Sequence, residues 1–219
     1  GLGDVYKRQS NTVNIPKIEG KSAITVQVTA EDGTIKVYQI IVTRRQDTNN
    51  NLNNLSLTSC TLSPTFSSST TSYACTVANS VTSTTVAAAT TSGVATLTGT
   101  GSKTLNVGSN TIKVTVTAED GNTKAYTITV KRKGVDTITL SAKSTTYTGS
   151  TIAANTATAT SKTSITYTYY STTNCSGSAL SGAPTNVGNY SVKAVSSGNG
   201  DYEAGSKCVA HTITKGTPT

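Results

Sequence analysis

The chain has 219 residues, of which 34% are hydrophobic and 13% charged, and its formal net charge at pH 7 is +8. It contains 46 Thr and 27 Ser but no Met or Trp. Thr favours strands, and no stretch has the apolar period of a helix, so this composition predicts an all-β protein and disfavours a helical enzyme. Basic residues cluster only at 43–45 and 131–133, where predicted strands end, which favours solvated boundary charge over a nucleic-acid site.

An internal repeat organises the first 133 residues. Residues 24–45 and 112–133 are identical at 13 of 22 positions, including the motif Thr-Ala-Glu-Asp-Gly. Self-similarity at a fixed spacing is the mark of tandem modules. We therefore expect residues 10–46 to be the C-terminal part of a truncated β module whose complete copy occupies residues 55–133. The Asn-rich residues 47–54 are the expected linker.

Two terminal segments are expected to lie outside the folded modules. Residues 1–9, GLGDVYKRQ, resemble the translation of a sequencing adaptor joined to a metagenomic read, and we interpret them as non-native. Residues 216–219 follow the last predicted strand and are interpreted as the start of a further linker.

Seven strand-like runs are predicted within residues 55–133. They lie near Leu55, around Leu62, and from residues 72, 84, 95, 112 and 125 onward. Seven short strands separated by turn signals predict a sandwich of two sheets.

The closing hairpin of each copy can be placed in register from its apolar residues, most of which occupy even positions. A two-residue Asp-Gly loop would put the apolar sets of its two strands on opposite faces. A three-residue loop keeps them together, pairs Val114 with Tyr126, and needs a left-handed third residue, which glycine supplies. The predicted turn residues are Glu31, Asp32 and Gly33 in the first copy, and Glu119, Asp120 and Gly121 in the second.

Residues 55–132 combine several motifs: a paired-leucine start, TLSPTF at 61–66, SYACTV at 72–77, LNVGSNTIKVTV at 105–116, and the closing TAEDGNTKAYTITVKR. In this combination the segment resembles the cadherin-like β-sandwich repeat of bacterial surface proteins. The resemblance implies a structural module and supplies no catalytic residues.

Residues 135–215 have a different sequence, in which strand-like runs start near residues 137, 145, 156, 164, 186 and 208. The segment contains Tyr147-Thr148-Gly149, Gly188-Asn189-Tyr190-Ser191-Val192 and Thr212-Ile213-Thr214-Lys215. On these motifs it resembles bacterial immunoglobulin-like repeats. The connection to the preceding module is short, so the two are expected to stack as a semi-rigid rod. The predicted fold class is all-β, with tandem immunoglobulin-like antiparallel β-sandwiches.

The four cysteines fall two to a module. Of the three connectivities, only Cys60 with Cys75 and Cys175 with Cys208 keeps each bridge inside one module. Neither pair has CxxC spacing, and a single His cannot complete a zinc site. Two disulfides, which need an oxidising compartment, are therefore expected, with a buried free thiol as the alternative for Cys75.

Other candidate site residues have structural interpretations. His211 is the only histidine, and no nucleophile motif accompanies it, so a packed or edge histidine is favoured over a catalytic base. The acids at the hairpin tips lack the clustered oxygens of a Ca²⁺ site, and no metal or cofactor is predicted. Tyr167, Tyr169 and Tyr170 are candidate ligand contacts, for example with a glycan, although cross-strand packing is favoured.

These expectations describe a non-catalytic protein. We expect stalk repeats of a large secreted or cell-surface bacterial protein, which space and present other domains and take part in adhesion. The alternative is an accessory module of an extracellular enzyme that binds a carbohydrate or a host protein. The expected partners are the neighbouring modules, with no nucleic acid and no membrane insertion of these residues.

Overall fold

The computed structural model describes residues 20–216, which contain β-strands and no helix. The expected non-native residues 1–9, the start of the first copy at 10–19, and residues 217–219 lie outside the described residues. The strands form three successive parts, which we call the hairpin (residues 20–46), the second unit (47–133) and the third unit (134–216). The predicted all-β class of tandem sandwiches is confirmed.

Two ten-residue strands, β1 (Gly20–Thr29) and β2 (Ile35–Arg44), form the antiparallel hairpin. The ladder pairs Val26 with Tyr38, so the apolar residues at even positions share one face. Gly33 has a φ of +82°, and its N–H donates to the Ala30 carbonyl at 3.0 Å. The loop is therefore the three-residue turn that the alternation predicts.

The second unit is a sandwich of two sheets. Its strands are β3 (Leu52–Leu57), β4 (Ser72–Val77), β5 (Ser83–Thr90), β6 (Thr96–Thr98), β7 (Gly101–Thr104), β8 (Gly108–Thr117) and β9 (Thr123–Arg132). One sheet has the order β3-β5-β7 and the other β4-β9-β8-β6. The pairing of β4 with β9 is parallel, whereas the predicted sandwich was wholly antiparallel. The chain crosses from one sheet to the other between β3 and β4, and β4 then lies beside the last strand, β9, and runs in the same direction.

The β8–β9 hairpin repeats the geometry of β1–β2. Val114 pairs with Tyr126, and Gly121 has a φ of +87°. Both strands turn their even positions toward the opposite sheet, as the repeat predicts. The resulting core contains Leu52, Leu55, Leu62, Tyr73, Val77, Val86, Leu105, Ile112, Val114, Val116, Tyr126, Ile128 and Val130.

Two predicted features of the second unit are wrong. The run around Leu62 is not a strand: it makes one bridge, between Ser63 and Ala74, although Leu62 itself is buried in the core. Conversely, β7 is a strand without a predicted counterpart. Its sequence, Gly-Ser-Lys-Thr, has no apolar alternation, and pairing with β5 alone holds it in the sheet.

The third unit is a second sandwich, built around a four-stranded sheet. Its strands are β10 (Gly134–Val135), β11 (Ile138–Thr139), β12 (Lys143–Thr146), β13 (Thr158–Ala159), β14 (Ile165–Tyr170), β15 (Gly188–Ser196), β16 (Tyr202–Glu203) and β17 (Ser206–Thr214). The main sheet has the order β12-β17-β15-β14, with β12 parallel to β17. The short pair β11–β13 lies across the core, which is formed by Ile138, Leu140, Ala157, Tyr169, Val192 and Ala194.

Each unit contains one disulfide, and both are the predicted pairs. Cys60 is bonded to Cys75, and Cys175 to Cys208, with Cα–Cα distances of 6.0 and 6.1 Å. The first bridge attaches the irregular segment after β3 to β4. The second attaches the loop after β14 to β17, so both tie a long connection to the sheet beneath it.

Candidate interdomain junctions

The first junction joins the end of β2 to the tip of the β8–β9 hairpin. The Arg44 guanidinium donates to the Glu119 carboxylate and forms an ion pair with it. The second carboxylate oxygen of Glu119 accepts a hydrogen bond from the Asp47 backbone N–H at 3.0 Å. The N–H of Asp120 donates in turn to the Asp47 carbonyl at 3.3 Å. The predicted turn residues therefore also receive the linker.

The two carboxylates of this junction are held in the charged form. Hydrogen bonds from the Asp47 backbone and from Arg44 lower the pKa of Glu119 below its usual value. The Ser92 hydroxyl, which donates to Asp47 at 2.6 Å, lowers the pKa of Asp47. Both groups are therefore ionised at neutral pH and are satisfied by donors of the protein itself.

The second junction centres on Asn79, in the loop that follows β4. Its side-chain amide donates to the Lys133 carbonyl at 2.8 Å, and its backbone N–H donates to the Glu203 carboxylate at 2.9 Å. Its own carbonyl accepts a hydrogen bond from Arg132 Nε at 2.8 Å. One residue of the second unit thus binds both the end of β9 and an acid of the third unit.

Backbone pairing continues this junction into the third unit. β10 and β16 pair in parallel, with the Gly134 N–H donating to the Asp201 carbonyl at 2.9 Å and the Asp136 N–H to the Glu203 carbonyl at 3.1 Å. Gly134 is buried, and a Cβ at this position would lie 3.0 Å from the ring of Tyr202. Gly134, which directly follows Lys133, therefore already belongs to a sheet of the third unit.

Both junctions have the same charge arrangement, in which a basic strand end meets an acidic loop of the next unit. Arg44 pairs with Glu119, and Lys131 pairs with Asp201. The two basic clusters of the sequence are therefore the basic halves of the junctions. The Lys131 and Asp201 side chains are 40% and 55% exposed, and an ion pair of this kind contributes only about 0–1 kcal/mol. At the second junction the oriented hydrogen bonds of Asn79 therefore matter more for direction.

The acidic halves of the second junction were not singled out from the sequence. Asn79 and Glu203 are 124 residues apart, and nothing local marks either of them. One signal was available: Asp201 and Glu203 are two of only three acids between residues 134 and 216. A pair of acids in such a segment is a natural complement to the basic cluster at 131–133.

The three tyrosines of β14 do not form a common platform. Tyr169 is buried, and its hydroxyl accepts a hydrogen bond from the Ala154 N–H at 2.8 Å. The hydroxyl of Tyr167 accepts one from the Ala157 N–H at 2.7 Å, although 37% of this residue is exposed. Tyr170 is half-buried. Two of the three hydroxyls thus fasten the loop before β13 onto the sheet.

His211 lies on β17 and is fully buried. Its ring is edge-on to that of Tyr169, with centroids 5.6 Å apart, and neither ring nitrogen has a hydrogen-bond partner among the described residues. Burial lowers the pKa of His211, and the nearby positive charge of Lys143 lowers it further. The Ile152 backbone has the opposite effect, which is smaller than that of burial. His211 is therefore a neutral ring at pH 7, packed as the sequence predicts.

The acids at the hairpin tips support the turns. Asp32 accepts a hydrogen bond from the Thr34 N–H, and Asp120 accepts one from the Asn122 N–H, both at 2.9 Å. The Thr34 bond lowers the pKa of Asp32. Across residues 20–216, no three His, Cys, Asp or Glu side chains are grouped as metal ligands. The same residues include no helix with the length and hydropathy of a membrane span.

Successive sandwiches joined by polar junctions define this chain as a tandem β-sandwich protein. Residues 52–133 match the model of the cadherin-like beta sandwich domain family. The match starts at the first residue of β3 and ends one residue after β9. This segment contains all seven strands of the second unit, β3 to β9, so the likeness to the family covers this unit and not the whole chain. No curated protein matches the chain.

The similar solved structures include cadherin fragments from animals. Mouse cadherin-23 EC22-24 has 14% identity and a TM-score of 0.38, and 72% of this chain and 66% of that chain are covered. Mouse clustered PcdhgC3 EC1-3 has 9% identity and a TM-score of 0.41, with 90% and 77% covered. Drosophila N-cadherin EC1-3 has 12% identity and a TM-score of 0.29, with 91% and 80% covered. The chain thus spans just under two thirds of the cadherin-23 fragment.

Proposed function

We propose that this chain is a non-catalytic spacer segment of a large secreted or cell-surface bacterial protein, in which tandem β-sandwiches hold other domains apart and present them for adhesion. The observation that carries the proposal is the second junction. There Asn79 binds both Lys133 and Glu203, and β10 continues directly into a sheet of the third unit. A spacer needs modules that keep a fixed direction, which oriented hydrogen bonds supply and a flexible linker does not.

The extracellular location has two supports. Cadherin-like domains are extracellular modules, and residues 52–133 match that family. The two disulfides also suit an oxidising compartment, since cytosolic thiols are kept reduced. As part of the same proposal, residues 135–215 are a bacterial immunoglobulin-like repeat, on the motifs around Tyr147, Tyr190 and Ile213.

The stiffness of the second junction tests the spacer role. We expect ¹⁵N relaxation of amides in β8 and β15 to fit one common rotational diffusion tensor in the unaltered chain. Replacing both Asn79 and Glu203 by Ala should separate the motions of the two units. The matched control is Asn174→Ala, at an exposed asparagine away from the junction, which should leave the common tensor unchanged. Independent tumbling of the two units in the unaltered chain would contradict the proposal.

An accessory binding module is the second candidate, and Tyr167 is the observation in its favour. The exposed part of its ring borders a depression of about 420 Å³ lined also by Thr158, Lys162 and Thr163. An aromatic ring beside hydroxyl and ammonium donors suits the mixed apolar and polar surface of a sugar. Chemical-shift changes on adding soluble polysaccharides, lost in Tyr167→Ala and kept in the exposed-residue control Tyr147→Ala, would favour this candidate. Unchanged shifts with every polysaccharide would count against it.

A further inference from the structure

The two disulfides have different surroundings. Cys60 and Cys75 are half-buried and pack against the core of the second unit. In the third unit Cys175 is half-buried, whereas Cys208 is exposed. Exposed disulfides are the ones that exchange with thiols, because an incoming sulfur can reach them. The bridge between Cys175 and Cys208 is therefore the more reactive of the two.

This bridge lies beside a lysine on the main sheet of the third unit. Val192 and Ala194 of β15 belong to the core, so Lys193 between them lies on the opposite side, which we call the outer face. The ladder pairs Lys193 with Cys208 of β17. Directly opposed residues of an antiparallel pair have Cβ atoms about 5 Å apart on the same face. Lys193 is thus the cross-strand neighbour of Cys208.

The positive charge of Lys193 is not neutralised by an acid. The third unit contains three acids, and each has its partner elsewhere: Asp136 with Ser161, Asp201 with Lys131, and Glu203 with Asn79. Within residues 20–216, Lys193 forms no ion pair. A cation beside a cysteine sulfur favours the thiolate over the thiol. Lys193 therefore favours a negative charge on Cys208.

The loop that carries Cys175 has a second attachment to the sheet, through Ser191. The Ser191 hydroxyl donates to the Thr172 carbonyl at 2.6 Å and accepts a hydrogen bond from the Cys175 N–H at 2.8 Å. Ser191 is fully buried. Neither hydrogen bond involves a sulfur atom, so opening of the disulfide leaves both in place. The loop then stays on the sheet, with Cys175 close to Cys208.

We propose that the Cys175–Cys208 bridge is a thiol-exchange site, through which the third unit forms a reversible covalent bond to an anionic thiol. The incoming thiolate attacks Sγ of Cys175 and forms a mixed disulfide there. The bond between Cys175 and Cys208 breaks, and its electron pair remains on Cys208 Sγ as a thiolate beside Lys193. One disulfide replaces another, so the incoming thiol is the only co-reactant, and attack by the Cys208 thiolate reverses the step.

The charges near the bridge determine the direction of the exchange and the kind of thiol. The sulfur whose thiolate is better stabilised leaves faster, and this is Cys208. Its neighbour along β17, Lys207, and its neighbour across the ladder, Lys193, are both basic. They attract an anionic thiol and repel a cationic one. The thiol belongs either to a small molecule or to a cysteine that is flanked by acids in another protein.

The test follows the opening of both disulfides in the folded full chain with excess glutathione, a small anionic thiol. Samples are quenched with acid at intervals, alkylated and mapped by mass spectrometry of their peptides. We expect the Cys175–Cys208 bridge to open at least about tenfold faster than Cys60–Cys75, because only the former is exposed. The mixed disulfide should be found on Cys175. The rate should rise in proportion to the glutathione concentration, since the unit does not have to unfold first.

Three variants test the role of Lys193. Lys193→Gln should slow the opening about threefold or more, because the leaving thiolate loses its neighbouring cation, and Lys193→Arg should keep the original rate. The matched control is Lys207→Gln, which removes the same charge from the other face of β17, where its ladder partner is Ala194 of the core. This control should change the rate by less than about twofold, because solvent screens the exposed charge.

Two further thiols distinguish the source and the charge of the partner. A peptide with one cysteine between two glutamates represents a protein thiol. At equal thiolate concentration, a faster reaction of this peptide than of glutathione assigns the site to a protein cysteine, and a slower one assigns it to a small thiol. Cysteamine, which is cationic, should react more slowly than both, and a cysteamine reaction as fast as theirs would contradict the preference for an anionic thiol.

Other results would overturn the exchange site itself. These are a Cys60–Cys75 bridge that opens as fast as Cys175–Cys208, a mixed disulfide on Cys208 instead of Cys175, and equal slowing by the two glutamine variants. A rate that reaches a plateau as glutathione increases would also count against it, because the bridge would then open only after the unit unfolds. None of these results bears on the spacer role, since the relaxation experiment probes Asn79 and Glu203 at the second junction.

Discussion

Among single residues, the buried ring of His211 makes the third unit sensitive to acid. Burial holds its folded pKa below 6.5, the value of an exposed imidazole and hence of the unfolded chain. The unfolded state therefore takes up a proton first as the pH falls. The stability associated with the neutral ring is complete above pH 6.5 and declines below it, toward the folded pKa. The groups that face the ring, namely Tyr169 and the strand partners Lys143 and Tyr190, cannot balance a positive charge.

We expect the urea midpoint of the third unit, followed through the exchange of β15 amides, to fall between about pH 7.5 and about pH 5.5. His211→Phe should reduce this fall, because it removes the titrating group. An equal fall in both proteins would exclude His211 as its source.

Asp136 affects stability in a different pH range from His211. Burial raises the pKa of Asp136, but hydrogen bonds from Ser161 and Ser196 outweigh this effect and keep the pKa below its usual value. Its stabilisation is therefore lost only at lower pH.

A second prediction concerns the hydroxyl of Tyr126, which is buried and makes two hydrogen bonds to backbone groups. It accepts a hydrogen bond from the Leu52 N–H at 3.1 Å and donates to the Ser68 carbonyl at 2.9 Å. Tyr126→Phe leaves both backbone groups without this partner and should lower the free energy of unfolding of the second unit by about 1–3 kcal/mol in urea titrations. Tyr38 occupies the position of the hairpin that corresponds to Tyr126, but it is exposed. Tyr38→Phe should therefore change the free energy of unfolding by less than about 0.5 kcal/mol. Equal effects would contradict the assignment.

Among the elements, two turn glycines with positive φ differ in the space around them. Gly121 has a φ of +87° with open space around it, so Gly121→Ala should destabilise the second unit by about 1–2 kcal/mol, the strain of a left-handed alanine. Gly99 has a φ of +90°, and a Cβ there would lie 2.0 Å from the Lys113 carbonyl oxygen. Gly99→Ala adds a backbone clash to the strain and should be the more damaging change. Chemical denaturation of both variants checks the order.

Each disulfide should stabilise its unit according to the loop that it closes. Cys60 and Cys75 are separated by 15 residues, and Cys175 and Cys208 by 33. In the chain-entropy model, the double replacement by Ala lowers the free energy of unfolding by about 3 kcal/mol for the first pair and about 4 kcal/mol for the second. Unfolding of each variant, followed by amides of its own unit, would show an effect confined to that unit. A loss spread over both units would contradict this account.

The alternation of apolar and polar residues predicted strands and their register correctly where it is regular. It failed where the sequence has no such alternation. The register of β8–β9 follows from the sequence because a shift of one residue would expose every apolar side chain of a strand. β7 has no such pattern, since its position depends on β5, to which it is joined only through space. Leu62 shows the reverse error: it is apolar and buried, but the segment around it crosses between the sheets and pairs at a single point.

For the whole molecule, the junctions should respond weakly to salt. The Lys131 and Asp201 side chains are 40% and 55% exposed, so salt screens their attraction, whereas the hydrogen bonds of Asn79 are formed within the interface. We expect the common diffusion tensor of the second and third units to persist at about 1 M NaCl, where the screening length is about 3 Å. Separation of the two motions in salt would show that the ion pair, rather than Asn79, sets the direction.

The sequence suggests module boundaries but contains no local signal for how the units meet. Basic residues at 43–45 and 131–133 lie at the ends of β2 and β9, where strands leave the core. Their acidic partners belong to loops of the following unit, and the approach of Glu203 to Asn79 depends on how two complete sandwiches are placed. Long-range geometry of this kind has no local period, so pattern reasoning could not supply it.

The parallel pairs β4–β9 and β12–β17 determine how each sandwich carries tension. In both, a strand from the first half of the unit lies beside the strand that ends it, with the same direction. Tension that pulls such a pair from its two opposite ends makes the strands slide lengthwise, so that the hydrogen bonds between them must break together rather than one after another. Forced unfolding is governed by the height of the unfolding barrier, and this arrangement raises that barrier along the pulling direction. A string of such sandwiches yields slowly under flow.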